Sequence, residues 1–190
     1  MKLFYCDRHQ IPLPPGHRFP IRKYRLLRAM LAATPGFDFE PAPFAARAAI
    51  ERVHDPGYVE AFLNGTLTPQ VMRRIGFPWS EGLVARTLAS VGGTLAATEE
   101  ALRSGVAGTL AGGTHHAFPS EGSGFCVFND IAVAIRAHSL RSAVVDLDVH
   151  QGDGTALIFE NDPDVLTLSM HGAPQFPVSQ TAEQDRCCAP

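Results

Sequence analysis

A chain of 190 residues is long enough to bury one sizeable core, and no Pro- or Gly-rich linker divides it, so a single domain is expected. Hydrophobic residues make up 45% and charged residues 18%, with a formal net charge of -3, which excludes nucleic-acid binding driven by bulk charge. Asp7, Arg8 and His9 directly follow Lys2 to Cys6, which leaves no apolar stretch for a signal peptide or membrane helix; a cytoplasmic protein with no membrane partner is expected.

Lys2 to Cys6 reads as an opening strand. A Pro-rich loop then leads to a helix from about Ile21, with Leu26, Leu27, Met30 and Leu31 as its apolar stripe and Pro35-Gly36 as its stop. Phe44 to Asn64 reads as two helical pieces broken at Asp55-Pro56-Gly57, and a short helix follows over Pro69 to Ile75. Ser80 offers an N-cap to a long helix from Glu81 to Arg103 that ends at Ser104-Gly105. Gly82, Gly92 and Gly93 weaken that helix, so close packing against a neighbour is the expected reason for them. Val106 to Ala111 reads as a short strand. A Gly-rich loop over Gly112 to Gly124 leads to a helix from about Asn129 to His138.

Ser142 to Val149 is the clearest strand, and its unbroken run Ala143-Val144-Val145 implies burial on both faces, as at the centre of a parallel sheet. A helical turn near Thr155 to Phe159 and a strand over Val165 to Met170 complete the regular part. Strands alternating with helices define an α/β fold around a mostly parallel sheet. Four cysteines, Cys6, Cys126, Cys187 and Cys188, show neither disulfide nor zinc-finger spacing and read as free thiols.

The chemistry concentrates in Asp146-Leu147-Asp148-Val149-His150-Gln151-Gly152-Asp153-Gly154. There, metal-ligand types alternate with apolar residues where a buried strand ends, and period-two geometry puts Asp146, Asp148 and His150 on one side. A carboxylate and an imidazole at a strand's carboxyl end form two-thirds of a three-ligand catalytic zinc site. Taken alone, the segment also reads as a solvated loop whose acids cap the following helix. Gly112-Gly113-Thr114-His115-His116-Ala117 follows another strand end, so two adjacent imidazoles arrive at the same sheet edge. Each imidazole needs a partner to set its tautomer, and the Asp-rich strand end can supply one. By itself the His-His pair also reads as surface loop. Phe128 reads as a core aromatic at a helix entrance, while Phe125 is open between core and channel lining.

These segments resemble the histone deacetylase superfamily, most closely its bacterial branch related to the class IV enzymes. The resemblance rests on Gly-Gly-Thr-His-His-Ala at 112–117, Gly-Phe-Cys-Val-Phe-Asn-Asp at 124–130, Asp-Leu-Asp-Val-His-Gln-Gly-Asp-Gly-Thr at 146–155 and Ser-Met-His-Gly at 169–172. Weaker support comes from His17 to Pro20 and Val53 to Tyr58. It implies a three-layer α/β/α arginase/deacetylase-like fold and zinc-dependent hydrolysis of acyl-amide bonds in acetylated lysine or a small acetylated amine. By position, Asp148 and His150 would be zinc ligands. His116 would be general base and acid with Asp153 orienting it, and Asp146 would pair with His115. A potassium ion would be held by Asp146 with oxygens near Asp148, His150, Ser169 and Met170. Gly124 and Phe125 would line the substrate tunnel.

The resemblance also implies a third zinc ligand, an aspartate on a later strand-end loop, and a later oxyanion-stabilising group. Neither is visible, and Asp185 stands in the wrong company to be that ligand. The expectation is therefore a domain over 1–172 that is an incomplete N-terminal portion, followed by an aberrant or disordered tail over 173–190. Two further readings stand beside the hydrolase. One is an inactive fragment or acyl-lysine-binding pseudoenzyme. The other is an arginase-like ureohydrolase, which wants Asp-x-His-x-Asp, whereas Gln151 and Gly152 separate His150 from Asp153.

Overall fold

The computed structural model describes residues 1–172. Strand β1 (Lys2–Tyr5) lies between β2 (Asp38–Pro41) and β3 (Ala107–Thr109), parallel to both, with Leu3 opposite Phe39 on one side and Gly108 on the other. Strands β4 (Ser142–Asp146) and β5 (Val165–Ser169) pair in parallel with Asp146 opposite Ser169. The α/β class holds, but the single central sheet expected from the sequence is divided among the described residues into sheets of three and two strands. Strand β2 escapes the sequence pattern because it is short, acidic and closed by Pro41, as suits an edge strand.

Helix α1 (Lys23–Ala32) does not bury its leucine stripe: Leu26, Leu27 and Met30 are all exposed. It turns Tyr24, Arg28 and Leu31 inward instead, one face at helical spacing. Arg28 pairs with the buried Asp7 carboxylate at 2.9 Å and stacks over Tyr5, while Arg86 stacks over Tyr24. Two guanidinium-aromatic contacts, each strengthened by desolvation, outweigh the leucines in choosing the face.

The break at Asp55-Pro56 is a helix start. After α2 (Arg47–Ile50), Asp55 caps α3 (Pro56–Leu63) by accepting from Tyr58 N–H, with Pro56 at the first position. Thr68 caps α4 (Pro69–Ile75), and Ser80 caps α5 (Glu81–Ser104) through Leu83 N–H at 3.1 Å. Asn129 caps α6 (Asp130–His138), and α7 (Asp153–Ile158) opens directly after the acidic segment.

The main core joins α2 to α6 through Ile50, Val59, Phe62, Ile75 and Leu83. Phe128 sits at its centre, meeting Phe62 and Tyr58 edge-on at ring separations of 5.3 and 5.7 Å. Burying one such ring contributes roughly 1.5–3 kcal/mol, and its geometry adds a further fraction. Among the described residues no helix is long and apolar enough to cross a membrane.

The glycines of α5 have the expected reason. A side chain at Gly82 would meet the Gln10 carbonyl, and one at Gly92 would run into the Pro43 carbonyl and Ala45 nitrogen. Helix α5 can therefore lie directly on the backbone that follows β2. Gly92→Ala is expected to lower unfolding stability by about 1–3 kcal/mol in urea denaturation through overpacking. An unchanged midpoint would show that the two backbones are not in that contact.

Candidate active site

The loop after β3 is held by Asp130, the first residue of α6 and fully buried. Its carboxylate accepts from Gly113 N–H at 3.1 Å and Thr114 N–H at 2.8 Å, and the Thr94 hydroxyl also donates to it. The Thr114 hydroxyl lies between the Phe128 carbonyl and that carboxylate and accepts from Asp130 N–H. A buried carboxylate is costly unless its lone pairs are filled, so this cluster locks the chain just before His115.

Below the loop, His54 is 2% exposed. Its Nδ1 donates to the Phe118 carbonyl at 3.0 Å, and its Nε2 accepts from Asn129 N–H at 2.9 Å. Asn129, also fully buried, donates from its side chain to Thr155 Oγ1 and Ala117 O. Helix α7 reaches the loop from the other side, with Thr155 N–H donating to the His115 carbonyl at 3.1 Å. Gly152 and Gly154 permit this approach: a side chain at 154 would strike the His115 and Ala117 carbonyls, and one at 152 the Asp146 carboxylate.

Held in this way, His115 and His116 lie with ring centroids 4.1 Å apart, 6% and 4% exposed. His115 Nδ1 donates to Asp146 Oδ2 at 2.6 Å, and His116 Nδ1 donates to Asp153 Oδ1 at 2.7 Å. Each imidazole thus has its own carboxylate. Burial pulls the His115 pKa down, but the Asp146 hydrogen bond and charge outweigh it and leave it above the usual histidine value. Burial pushes Asp146 up, and the bonds from His115 and from Asp148 N–H more than reverse this, leaving it low.

The expectation that Asp146, Asp148 and His150 alternate along one strand is corrected. Strand β4 ends at Asp146, and the chain then bends: Asp148 N–H donates to Asp146 Oδ1, and His150 N–H donates to Asp148 Oδ1. Such Asx-type turns compete with the sheet ladder by turning the Asp148 and His150 amides to side-chain carboxylates. The side chains still converge. Asp148 Oδ1 is 2.9 Å from His150 Nδ1 and 4.0 Å from His115 Nε2, and the His116 and His150 rings lie 5.9 Å apart.

Asp148 and His150 supply a carboxylate and an imidazole of the types zinc takes, and their half-exposed side chains leave an approach from solvent. They fit as two ligands of a three-ligand set; among the described residues no group of three or more His, Cys, Asp or Glu could hold a metal ion. Burial raises the Asp148 pKa, but hydrogen bonds from His150 lower it further, which keeps the carboxylate ionised. For the expected potassium site, β4-β5 pairing brings Asp146 beside Ser169, and Met170 N–H already donates to the Asp146 carbonyl at 2.9 Å. Ser169 Oγ accepts from Gly152 N–H.

Gly124 and Phe125 both take positive φ, 54° and 68°. Phe125 packs against His17, Phe19 and Phe77 with centroids 5.1–6.1 Å apart and is partly buried. Holding a phenylalanine in the left-handed region costs energy, as is common where function dictates conformation. Phe128 is core, as anticipated. Burial pushes the Cys126 thiol up to about 12, so it carries no thiolate at neutral pH.

His54, Asn129 and Asp130, which the sequence reading quoted within its motifs but gave no role, hold the histidine loop from beneath. The signal available was their polarity inside apolar runs, Val53-His54 and Phe128-Asn129-Asp130.

The model of the histone deacetylase domain matches residues 17–187. The chain belongs to this family. It is 51% identical to an uncharacterized protein of Picosynechococcus sp. over 95% of this chain and 63% of that one. It is 34% identical to the acetoin utilization protein AcuC of Bacillus subtilis over 78% of this chain and 42% of that one. Among solved structures, a histone deacetylase homolog from Aquifex aeolicus matches with a TM-score of 0.82 at 26% identity, covering 96% of this chain and 55% of that one. This member of the family therefore spans 63% or less of the length of these relatives.

His54 makes stability pH-dependent. Burial lowers its pKa from 6.5 to about 4, against carbonyl hydrogen bonds that raise it. The folded protein keeps it neutral while the unfolded chain takes up a proton below 6.5, so stability falls as pH drops from 6.5 toward 4. The loss should approach about 3 kcal/mol by the low end in denaturation curves. NMR of the imidazole should show the neutral Nδ1–H tautomer down to about pH 5. A ring that titrates near its ordinary value would sink this account.

Proposed function

We propose that this site hydrolyses acyl-amide bonds as a zinc-dependent deacetylase acting on acetyl-lysine or a small acetylated amine. The observation that carries the reading is the pair of buried histidines, each hydrogen-bonded through Nδ1 to its own carboxylate beside Asp148 and His150. A solvated loop would not bury both imidazoles or assign each an acid.

Asp148 and His150 would hold zinc. The chemistry a zinc ion supplies in such a place is polarisation of an amide carbonyl and acidification of water. With Nδ1–H committed to Asp153, His116 presents Nε2 as its basic nitrogen; it takes a proton from the attacking water and returns it to the leaving amine. Asp153 fixes the tautomer and steadies the imidazolium as it forms. His115, held toward the charged form by Asp146, sits as a hydrogen-bond donor to the oxygen that gains charge. Gly124 and Phe125 would flank the acylated side chain, and Asp146, Ser169 and Met170 would contribute to a potassium site. A reducing, cytoplasmic setting belongs to this proposal and suits the buried free thiols Cys6 and Cys126.

The two protein donors among the described residues would hold zinc weakly, so the 190-residue chain is expected to retain well under one zinc after dialysis and to turn over acetyl-lysine slowly. Whatever rate a fluorogenic acetyl-lysine substrate shows with added zinc should fall by at least about 100-fold in His116→Ala. An unchanged rate in that variant would remove His116 from the mechanism. Stoichiometric zinc with full turnover would overturn the two-ligand account.

A further inference from the structure

The charges of this chain are unevenly spread. Residues 8–37 hold six of the sixteen Lys and Arg and none of the nineteen Asp and Glu, in a chain whose formal net charge is -3. Asp7, just before that stretch, is already taken by Arg28 at 2.9 Å. Arg18, Arg22 and Lys23 are exposed, and among the described residues no ion pair holds any of the three. A net-negative protein that gathers unmatched cations in one stretch has a local field opposite in sign to its overall charge.

The fold carries this stretch to Phe125, the ring assigned above to the substrate tunnel. The Phe19 and Phe125 ring centroids are 5.1 Å apart, and Lys23 Nζ sits 5.2 Å from the Phe19 centroid. The His17 ring is 6.1 Å from Phe125, and its Nε2 donates to the Gly76 carbonyl at 3.0 Å, which pins the chain next to Arg18. From the end of α4, the Ile75 carbonyl accepts from Phe125 N–H at 2.7 Å and the Arg74 carbonyl from Gly124 N–H at 3.3 Å. Glu121 lies on that side, and its carboxylate is already matched by Arg74 at 2.7 Å. An aromatic wall therefore stands beside cations that have no acid of their own.

We propose that this mouth selects acetyl-lysine that stands among acidic residues of a protein chain. The assignment rests on the deacetylase reading and adds to it which lysines are taken. A lysine stem is aliphatic and suits the aromatic wall, whereas the cations lie beyond Phe19 and meet the residues on either side of the acylated one. In an extended peptide those neighbours follow at about 3.3 Å per residue, within reach of long Arg and Lys side chains. Each exposed charge pair is weak, so the preference is a sum over several contacts and is screened by salt. The same field opposes acetylated polyamines and lysines in basic tails, because like charges brought together across an interface are costly.

The test is peptide binding to the full chain, read by fluorescence anisotropy with a neutral dye, so that it does not require turnover. One peptide carries acetyl-lysine between Asp residues and a second carries it between Lys residues. A third has the Asp flanks with glycine in place of acetyl-lysine. At about 0.02 M salt the Asp-flanked acetylated peptide is expected to bind at least about tenfold tighter than the Lys-flanked one, with the ratio shrinking toward one near 0.2 M. The double variant Arg18→Glu, Arg22→Glu should abolish the ratio; Arg22 precedes the first turn of α1, where an acid favours the helix. Equal affinity for the two flanks, or a ratio that survives in the variant, overturns the proposal and leaves the deacetylase reading intact. Binding of the glycine peptide as tightly as the acetylated one overturns the deacetylase reading, and the substrate assignment with it. An acetylated polyamine or a single-stranded oligonucleotide that binds as tightly as the Asp-flanked peptide overturns the proposal in favour of that ligand.

Discussion

The site depends on a buried carboxylate that has no ion pair among the described residues. Asp130 lies at the start of α6 with its oxygens filled by the Gly113 and Thr114 amides and the Thr94 hydroxyl. These donors come from α5 and from the loop after β3, so one side chain ties together helix, helix and loop. Desolvating it without those donors would cost several kcal/mol, which makes the loop conformation part of the core and not an ornament on it. His115 and His116 inherit their positions from this anchor, and His54 and Asn129 secure the far end of the same loop.

On that rigid base the two histidine-carboxylate pairs differ in a useful way. Asp146 stands where the sheet ends and receives His115 on one oxygen and the Asp148 amide on the other, so it both terminates β4 and raises the basicity of an imidazole. Asp153 stands at the first turn of α7, where the helix N-terminus also favours a negative charge. The pairs are therefore built from different elements and meet only because Gly152 and Gly154 let α7 touch the histidine loop. The half-exposed Asp148 and His150 face the same space but are bonded mainly to each other, so the two buried histidine-carboxylate pairs are held more firmly than this exposed pair.

Strand β3 ends at the histidine loop and β4 at the acidic turn, so both strand ends border the site, and among the described residues neither strand pairs on its second edge.

Much of this was legible in the residues. The cap Ser80, the helix stop at Gly105 and the alternation of strands with helices followed from local chemistry that any chain obeys. The His115-His116 and Asp146-to-Asp153 segments declared their chemistry because so many polar groups beside a buried strand must have partners. Tertiary structure alone decided three things. Helix α1 turned Tyr24 and Arg28 inward, because the aromatic and acidic partners for Arg28 and Arg86 come from distant segments. Strand β4 stopped at Asp146, because the Asp146 and Asp148 carboxylates take up the amides of Asp148 and His150. And Val145, apolar enough for a sheet centre, stayed exposed, since sequence records what a face can bury but only packing supplies what covers it.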